Sequence, residues 1–132
     1  RHWRADGRTT LPLGEDPEGL LIYTPTGHMS GQIMRRGRRG FAGGTLPSGT
    51  NPEIREALLG YVAYFGTYIV DRGLRTVTHK VIGGWYPNYV GSYQLRHYEF
   101  EGPDKLLLRT PPREFGAETR TGLLVWERMA DS

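Results

Sequence analysis

Four residues of this chain have side chains suited to proton chemistry and lie on strand-like segments: Tyr68, His79, Arg96 and Tyr98. A histidine has an unperturbed pKa near neutrality, so His79 is a candidate general base or acid. Arg96 could stabilise a developing enolate or carboxylate. Tyr68 and Tyr98 could donate hydrogen bonds. Together they suit a cofactor-free isomerisation or cyclisation. A second group would orient a ligand rather than transform it: Gln32, Tyr64, Trp85, Gln94, Trp126 and Arg128. Other chemistries lack their residues. There is no cysteine, and the four histidines lack close ligand spacing, so no zinc site is expected. No phosphate-cradling or dinucleotide-binding glycine pattern follows a strand, and Gly-x-Ser-x-Gly is absent. No cofactor is implied.

Alternation decides which of these side chains share an interior. In Leu74–Ile82, Val77, His79 and Val81 lie on one face, with Thr76, Thr78 and Lys80 on the other. Gln94, Arg96, Tyr98 and Phe100 share a face, which puts His97 opposite to them. Tyr64, Gly66, Tyr68 and Val70 group together, as do Leu106 with Leu108 and Leu124 with Trp126 and Arg128. In His28–Arg35 the choice between Ser30-Gln32-Met34 and Met29-Gly31-Ile33 stays open. The resulting interior is mixed. A buried polar group without a partner costs about 1–3 kcal/mol, so a purely structural core would avoid so many. A hydrated cavity or a ligand is the expected reason for them.

The elements that hold these residues are short strands. Gly19–Tyr23 and His28–Arg35 form a hairpin around Thr24-Pro25-Thr26-Gly27. Residues 36–52 read as a long loop, and its Arg35-Arg36-Gly37-Arg38-Arg39 run as a solvated charge cluster. Asn51–Leu59 is the one helix, with Thr50 or Asn51 as N-cap, Pro52 at the first helical position and Gly60 at the end. Strands follow over Tyr61–Val70, Leu74–Ile82, Val90–Glu101, Lys105–Thr110 and Gly122–Met129. Gly83 to Asn88 is irregular, and Pro111-Pro112 stops a strand. Residues 1–18 are polar and turn-rich, with turn signals at Asp6-Gly7 and Gly14-Glu15-Asp16-Pro17.

About seven strands, one more near the N-terminus and short turns describe an all-β chain, antiparallel throughout. Closure into a single barrel of about eight strands would protect the sheet edges and enclose one small ligand; a β-sandwich is the competitor. The 132 residues form one domain, 1–132, with no internal repeat. Lys and Arg exceed Asp and Glu by 17 − 14 = 3. With only Phe41 near the Arg run, a stacking platform for nucleic acid is not expected. No apolar run approaches the ~20 residues of a membrane span, and residues 1–6 lack a signal-peptide core. A cytoplasmic protein without a membrane partner is expected.

The stretch Pro12-Leu13-Gly14-Glu15-Asp16-Pro17-Glu18-Gly19-Leu20-Leu21-Ile22-Tyr23-Thr24-Pro25 resembles the opening motif of the bacterial and fungal lipocalin-like domain family. Similar matches are Gly27-His28-Met29-Ser30, Tyr61-Val62-Ala63-Tyr64-Phe65-Gly66-Thr67-Tyr68 and Leu124-Val125-Trp126-Glu127-Arg128. They run from about residue 5 to 129. The resemblance implies a lipocalin-like β-barrel and says little about activity; some members sit in natural-product pathways, where small barrels act as cyclases or isomerases. One departure stands out. Members usually open with a longer strand around the tryptophan that Trp3 matches, whereas here Ala5-Asp6-Gly7 follows almost at once. The first strand is therefore expected to be short. It would leave an edge able to pair with another subunit, which keeps a homodimer open.

Two functions follow. The first is binding of a small apolar or amphipathic molecule, polyketide- or terpenoid-like, in the barrel interior. The alternative is a cofactor-free isomerase or cyclase using His79, Arg96, Tyr98 and Tyr68 on the same ligand.

Overall fold

A computed structural model describes residues 2–9, 13, 16–46, 48–111, 113–115, 118–120 and 122–129; at 2, 5–9, 113–115 and 118–120 it describes the backbone alone. The strands are β1 (His2–Thr9), β2 (Glu18–Tyr23), β3 (His28–Met34), β4 (Tyr61–Asp71), β5 (Thr76–Gly84), β6 (Tyr93–Glu101), β7 (Lys105–Arg109), β8 (Arg113–Phe115), β9 (Glu118–Arg120) and β10 (Leu123–Arg128). Among the described residues the one α-helix, α1, is Asn51–Leu59, and Pro87–Tyr89 forms a single 3-10 turn. Eight strands close an antiparallel barrel in the order β1-β10-β7-β6-β5-β4-β3-β2, and β8 and β9 form a separate hairpin. The all-β barrel expected from alternation is the fold, and the sandwich is excluded.

Closure depends on the strand expected to be short. β1 has eight residues and pairs on both sides: Trp3 lies opposite Arg128 of β10 and Leu21 of β2. Asp6-Gly7 is not a turn. Its place in β1 falls where the register with β10 shifts between Ala5 and Thr9. An irregularity inside a ladder tolerates turn-type residues without ending the strand. The free edge that kept a homodimer open is therefore paired. Of the other turn and stop signals, Gly14, Glu15 and Pro112 lie outside the described residues.

The Thr24–Gly27 turn forms as expected, with Gly27 at φ 89°, a conformation that glycine adopts without a Cβ penalty. The helix also forms over its expected residues. Thr50 is the N-cap, so Pro52 stands second in the helix rather than first. Glu53 completes a capping box, with its carboxylate accepting from the Thr50 N–H at 2.8 Å. The Arg run is partly engaged: Arg36 pairs with Asp16 at 3.2 Å, and Arg38 donates to the Ala57 carbonyl at 3.1 Å.

Between β4 and β5 the register shifts at Phe65/Gly66, so Gly66 faces Val81 while Phe65 faces Gly83. A Cβ on Gly66 would sit 1.8 Å from the Lys80 carbonyl oxygen, so only glycine fits. The bulge brings Tyr64 opposite Gly84, where an added Cβ would sit 2.8 Å from the Tyr64 Cβ and 2.9 Å from the Ala63 carbonyl oxygen.

The core gathers Trp3, Leu21, Met29, Ile33, Val77, Leu106, Leu108 and Trp126 on the inner face. Each such side chain contributes roughly 1.5–3 kcal/mol on full burial. For β3 the inner face is Met29-Gly31-Ile33. Phe100, expected inside, is 55% exposed because it lies where β6 leaves the barrel.

Candidate functional site

His79 is the centre of the interior. It comes from β5, whose alternation buries Val77, His79 and Val81 together. At 2% exposure the imidazole is out of reach of solvent. Both ring nitrogens meet a tyrosine hydroxyl: Tyr23 lies 2.6 Å from Nε2 and Tyr64 2.6 Å from Nδ1. A neutral imidazole has one N–H and one lone pair. Hence His79 donates to one of these hydroxyls and accepts from the other.

Electrostatics keeps the ring neutral. Burial, reinforced by the Arg96 charge, lowers the His79 pKa to about 3. Burial also raises the Tyr64 and Tyr23 hydroxyls above the ordinary phenol range, against the pull of Arg96. All three groups are thus uncharged near neutral pH, joined in a short chain across the barrel.

This chain lies between two cavities that open toward opposite ends of the barrel. At the helix end is a space of about 380 Å³, lined by Tyr64, His79, Trp85, Arg96 and Trp126 among aliphatic side chains. At the end of the β2–β3 and β4–β5 turns is a space of about 490 Å³, lined by Trp3, Tyr23, Tyr68, Tyr98 and Phe100. Leu108 touches both. Either volume is in the range of small-molecule sites.

Arg96 is the cation of the helix-end cavity. Its Nη1 donates to the Leu95 carbonyl at 2.9 Å, and no carboxylate among the described residues pairs with it. Its charge therefore faces a mostly apolar space. Arg128 instead stacks on Trp3, its guanidinium carbon 5.3 Å from the ring centroid. The Arg128 Nε and Trp126 Nε1 are buried without a hydrogen-bond partner among the described residues. No cluster of potential metal ligands occurs among them either.

The structure divides the residues that the sequence grouped together. Tyr64, His79, Trp85, Arg96 and Trp126 share the helix-end cavity. Tyr68 and Tyr98 line the other one, and the Tyr68 hydroxyl already donates to the Thr24 carbonyl at 2.7 Å. Gln94 is buried, but its amide is turned to Ser92 Oγ at 2.8 Å. Gln32 is a correction. It falls on the exposed face of β3, where its amide oxygen accepts from the Tyr61 hydroxyl, and it borders the helix-end cavity from there instead of pointing into the core. His97 lies outside the barrel, opposite in facing to His79, as alternation requires.

Tyr23 was missed. Its face follows from the Gly19-Leu21-Tyr23 alternation of β2, but its partnership with His79 spans 56 residues and no local pattern signals it. Trp85 and Tyr89, which close the helix end, come from the irregular segment after β5; their rings meet edge to face at 5.4 Å.

Comparison with known proteins agrees with this architecture. The sequence model of a family described as lipocalin-like domain matches residues 2–129. Among curated proteins, the 4'-hydroxy-3'-methoxypropiophenone carrier protein ppsC of Aspergillus oryzae is 30% identical over 107 residues, which span 76% of this chain and 96% of that protein. No helix among the described residues is long and apolar enough to cross a membrane.

Proposed function

The chain belongs to the lipocalin-like domain family, and from that premise we propose that it binds a small, largely apolar aromatic molecule bearing an electron-rich oxygen in the helix-end cavity. The observation that carries this reading is Arg96. A cation without a carboxylate partner among the described residues, facing an apolar space of about 380 Å³, suits an apolar ligand with one acceptor group. A carbonyl, phenolate or carboxylate oxygen would supply what Arg96 lacks. The name of the Aspergillus oryzae relative describes a carrier of a phenol-bearing aryl ketone, a molecule of this class. A polyketide-like aromatic ketone is thus the ligand type favoured over a terpenoid.

The test is titration of the protein with 4'-hydroxy-3'-methoxypropiophenone and with propylbenzene, followed by tryptophan fluorescence. The ketone should bind at least about tenfold more tightly, the value of one hydrogen bond to a charged donor. Equal affinities, or no saturable binding of either, would overturn the reading.

A cofactor-free isomerase or cyclase acting on the same ligand is the second reading, and the Tyr23–His79–Tyr64 chain favours it. With so low a pKa, His79 is unsuited to hold a proton as imidazolium. It is suited to passing one, by accepting at one nitrogen while releasing from the other. Incubation of an α-deuterated aryl ketone with the protein tests this: washout of the label above the buffer rate is expected for catalysis, and none for carriage alone.

A further inference from the structure

We propose that the turn-end cavity takes a small aryl carboxylate, whose ring enters the aromatic cup while its anionic head stays at the mouth against Arg72. The proposal goes beyond the helix-end reading and does not depend on it.

The placement of charge distinguishes the two cavities. Among the described residues that line the turn-end space, Arg72 is the only charged one. It stands on the turn between β4 and β5, is exposed, and pairs with no carboxylate among the described residues. The Oδ1 of its chain neighbour Asp71 is committed to the Leu74 N–H at 3.0 Å. The turn itself is held in place. Arg75 sits in the left-handed region at φ 53°, and its carbonyl accepts from the Tyr98 N–H of β6 at 2.9 Å. That conformation is uncommon without glycine and persists where surrounding contacts fix it. Arg72 therefore extends from a fixed backbone at the mouth of the cavity.

The walls are set for a ring. Trp3, Tyr68, Tyr98 and Phe100 surround the space of about 490 Å³. The Phe100 centroid lies 6.3 Å from that of Trp3 and meets the Tyr98 ring edge to face at 5.9 Å. Tyr68 is held by its bond to the Thr24 carbonyl, and Trp3 by the Arg128 guanidinium stacked on it. Val70 and Phe100 line the same space and are exposed although apolar, so the chain itself covers neither. A guest ring would cover both. Offset and edge contacts between rings are favourable, and a preformed cup loses little freedom on binding.

A carboxylate is the head group that suits this rim. A guanidinium offers paired N–H donors that match both carboxylate oxygens. At an exposed position the anion keeps part of its hydration, so the cost of burying a charge does not arise. The same exposure makes the ion pair weak. The ring then supplies most of the affinity, and Arg72 sets which end points outward. In the helix-end cavity the order is reversed, because Arg96 is half-buried and the oxygen of its ligand would lie inside.

The experiment titrates the full chain, its methyl groups labelled with ¹³C, with 2-naphthylacetate and with the neutral analogue 2-naphthylacetamide. Methyls of Val70, Val77 and Leu106 report the turn-end cavity, and those of Val62, Leu21 and Leu124 the helix-end one. Saturable shifts of the turn-end set are expected with both compounds, the carboxylate binding about two- to fivefold more tightly at low salt. That margin should vanish in Arg72→Gln, and should shrink in about 0.5 M sodium chloride, which screens an exposed pair. The amide should bind Arg72→Gln as it binds the wild type, which also shows that the variant is folded. Arg96→Met should leave the turn-end titrations unchanged. Absence of saturable turn-end shifts overturns the site; if shifts then appear at the helix end alone, the binding reading above stands. Equal affinities of the two compounds at the turn end, or a margin that survives Arg72→Gln, overturn the anionic ligand and the role of Arg72.

Discussion

The Tyr64 hydroxyl lies 2.6 Å from His79 Nδ1, so the histidine that burial keeps neutral is also held by a partner on that nitrogen. With Tyr23 on the other nitrogen, the ring is saturated with partners that suit its neutral form. Among the described residues, the groups facing it are these two hydroxyls and the Arg96 guanidinium, and none is a carboxylate that would hold a proton on the ring.

Acid stability should report this directly. The ordinary histidine pKa of 6.5 applies in the unfolded chain, against about 3 in the barrel. Between these values the unfolded chain binds a proton that the folded one does not. Stability therefore falls as pH drops from 6.5 toward 3, by up to about 1.4 kcal/mol per pH unit, and is flat from this group above neutrality. Urea unfolding of the wild type and of His79→Phe, compared from pH 7 to pH 4.5, separates this slope from that of the carboxylates. The variant should be weaker by about 2–4 kcal/mol at pH 7, since two buried hydroxyls lose their partner, and should show the shallower acid slope. Parallel slopes would refute the assignment.

Tyr23→Phe and Tyr64→Phe should each cost about 1–2 kcal/mol of stability. Their effects should not add, because both hydroxyls act on one ring. A double-mutant cycle by urea unfolding should give a coupling energy of about 0.5 kcal/mol or more. Simple additivity would mean that the two bonds are independent.

Arg96→Met should separate stability from binding. The wild-type guanidinium is half-buried without a carboxylate partner among the described residues, so its removal should leave the melting temperature unchanged or raised. The same change should weaken binding of 4'-hydroxy-3'-methoxypropiophenone at least about tenfold, while propylbenzene is little affected. Loss of stability with unchanged ketone affinity would make Arg96 a structural residue only.

Gly66→Ala should destabilise the barrel by about 2–4 kcal/mol, because the new Cβ would meet the Lys80 backbone at 1.8 Å and backbone cannot rotate away. Gly40→Ala, where a Cβ meets nothing within 4 Å, is the control. Thermal unfolding of the two variants checks it; similar melting temperatures would show that the bulge relaxes freely.

Much of this protein was legible in its sequence, because side-chain direction in a strand depends only on parity. Parity alone placed His79 between Val77 and Val81 inside, set His97 outside, and grouped Tyr64 with Tyr68. The turn residues around Thr24–Gly27 and the cap at Thr50 marked element ends, since their conformations are local. Where local signals conflicted, parity gave no answer. Asp6-Gly7 read as a turn, yet pairing with β10 and β2 on both sides holds those residues within a strand. Gln32 went to the outer face only once β3 was seated between β2 and β4, with Met29 and Ile33 taking the core.

What the sequence determined by itself, then, is an eight-strand-sized set of alternating segments and the direction of most of their side chains. Tertiary structure decided which inward residues meet. Barrel closure carries Tyr23 across to His79 and puts Tyr64 on its other nitrogen, contacts that span 56 and 15 residues. It divides one presumed pocket into two, because three polar side chains from β2, β4 and β5 satisfy one another at the centre instead of facing a ligand together. The physical reason is that alternation sets a direction at each residue, whereas hydrogen-bond partners depend on distances around the whole closed sheet, and these follow from its curvature and register.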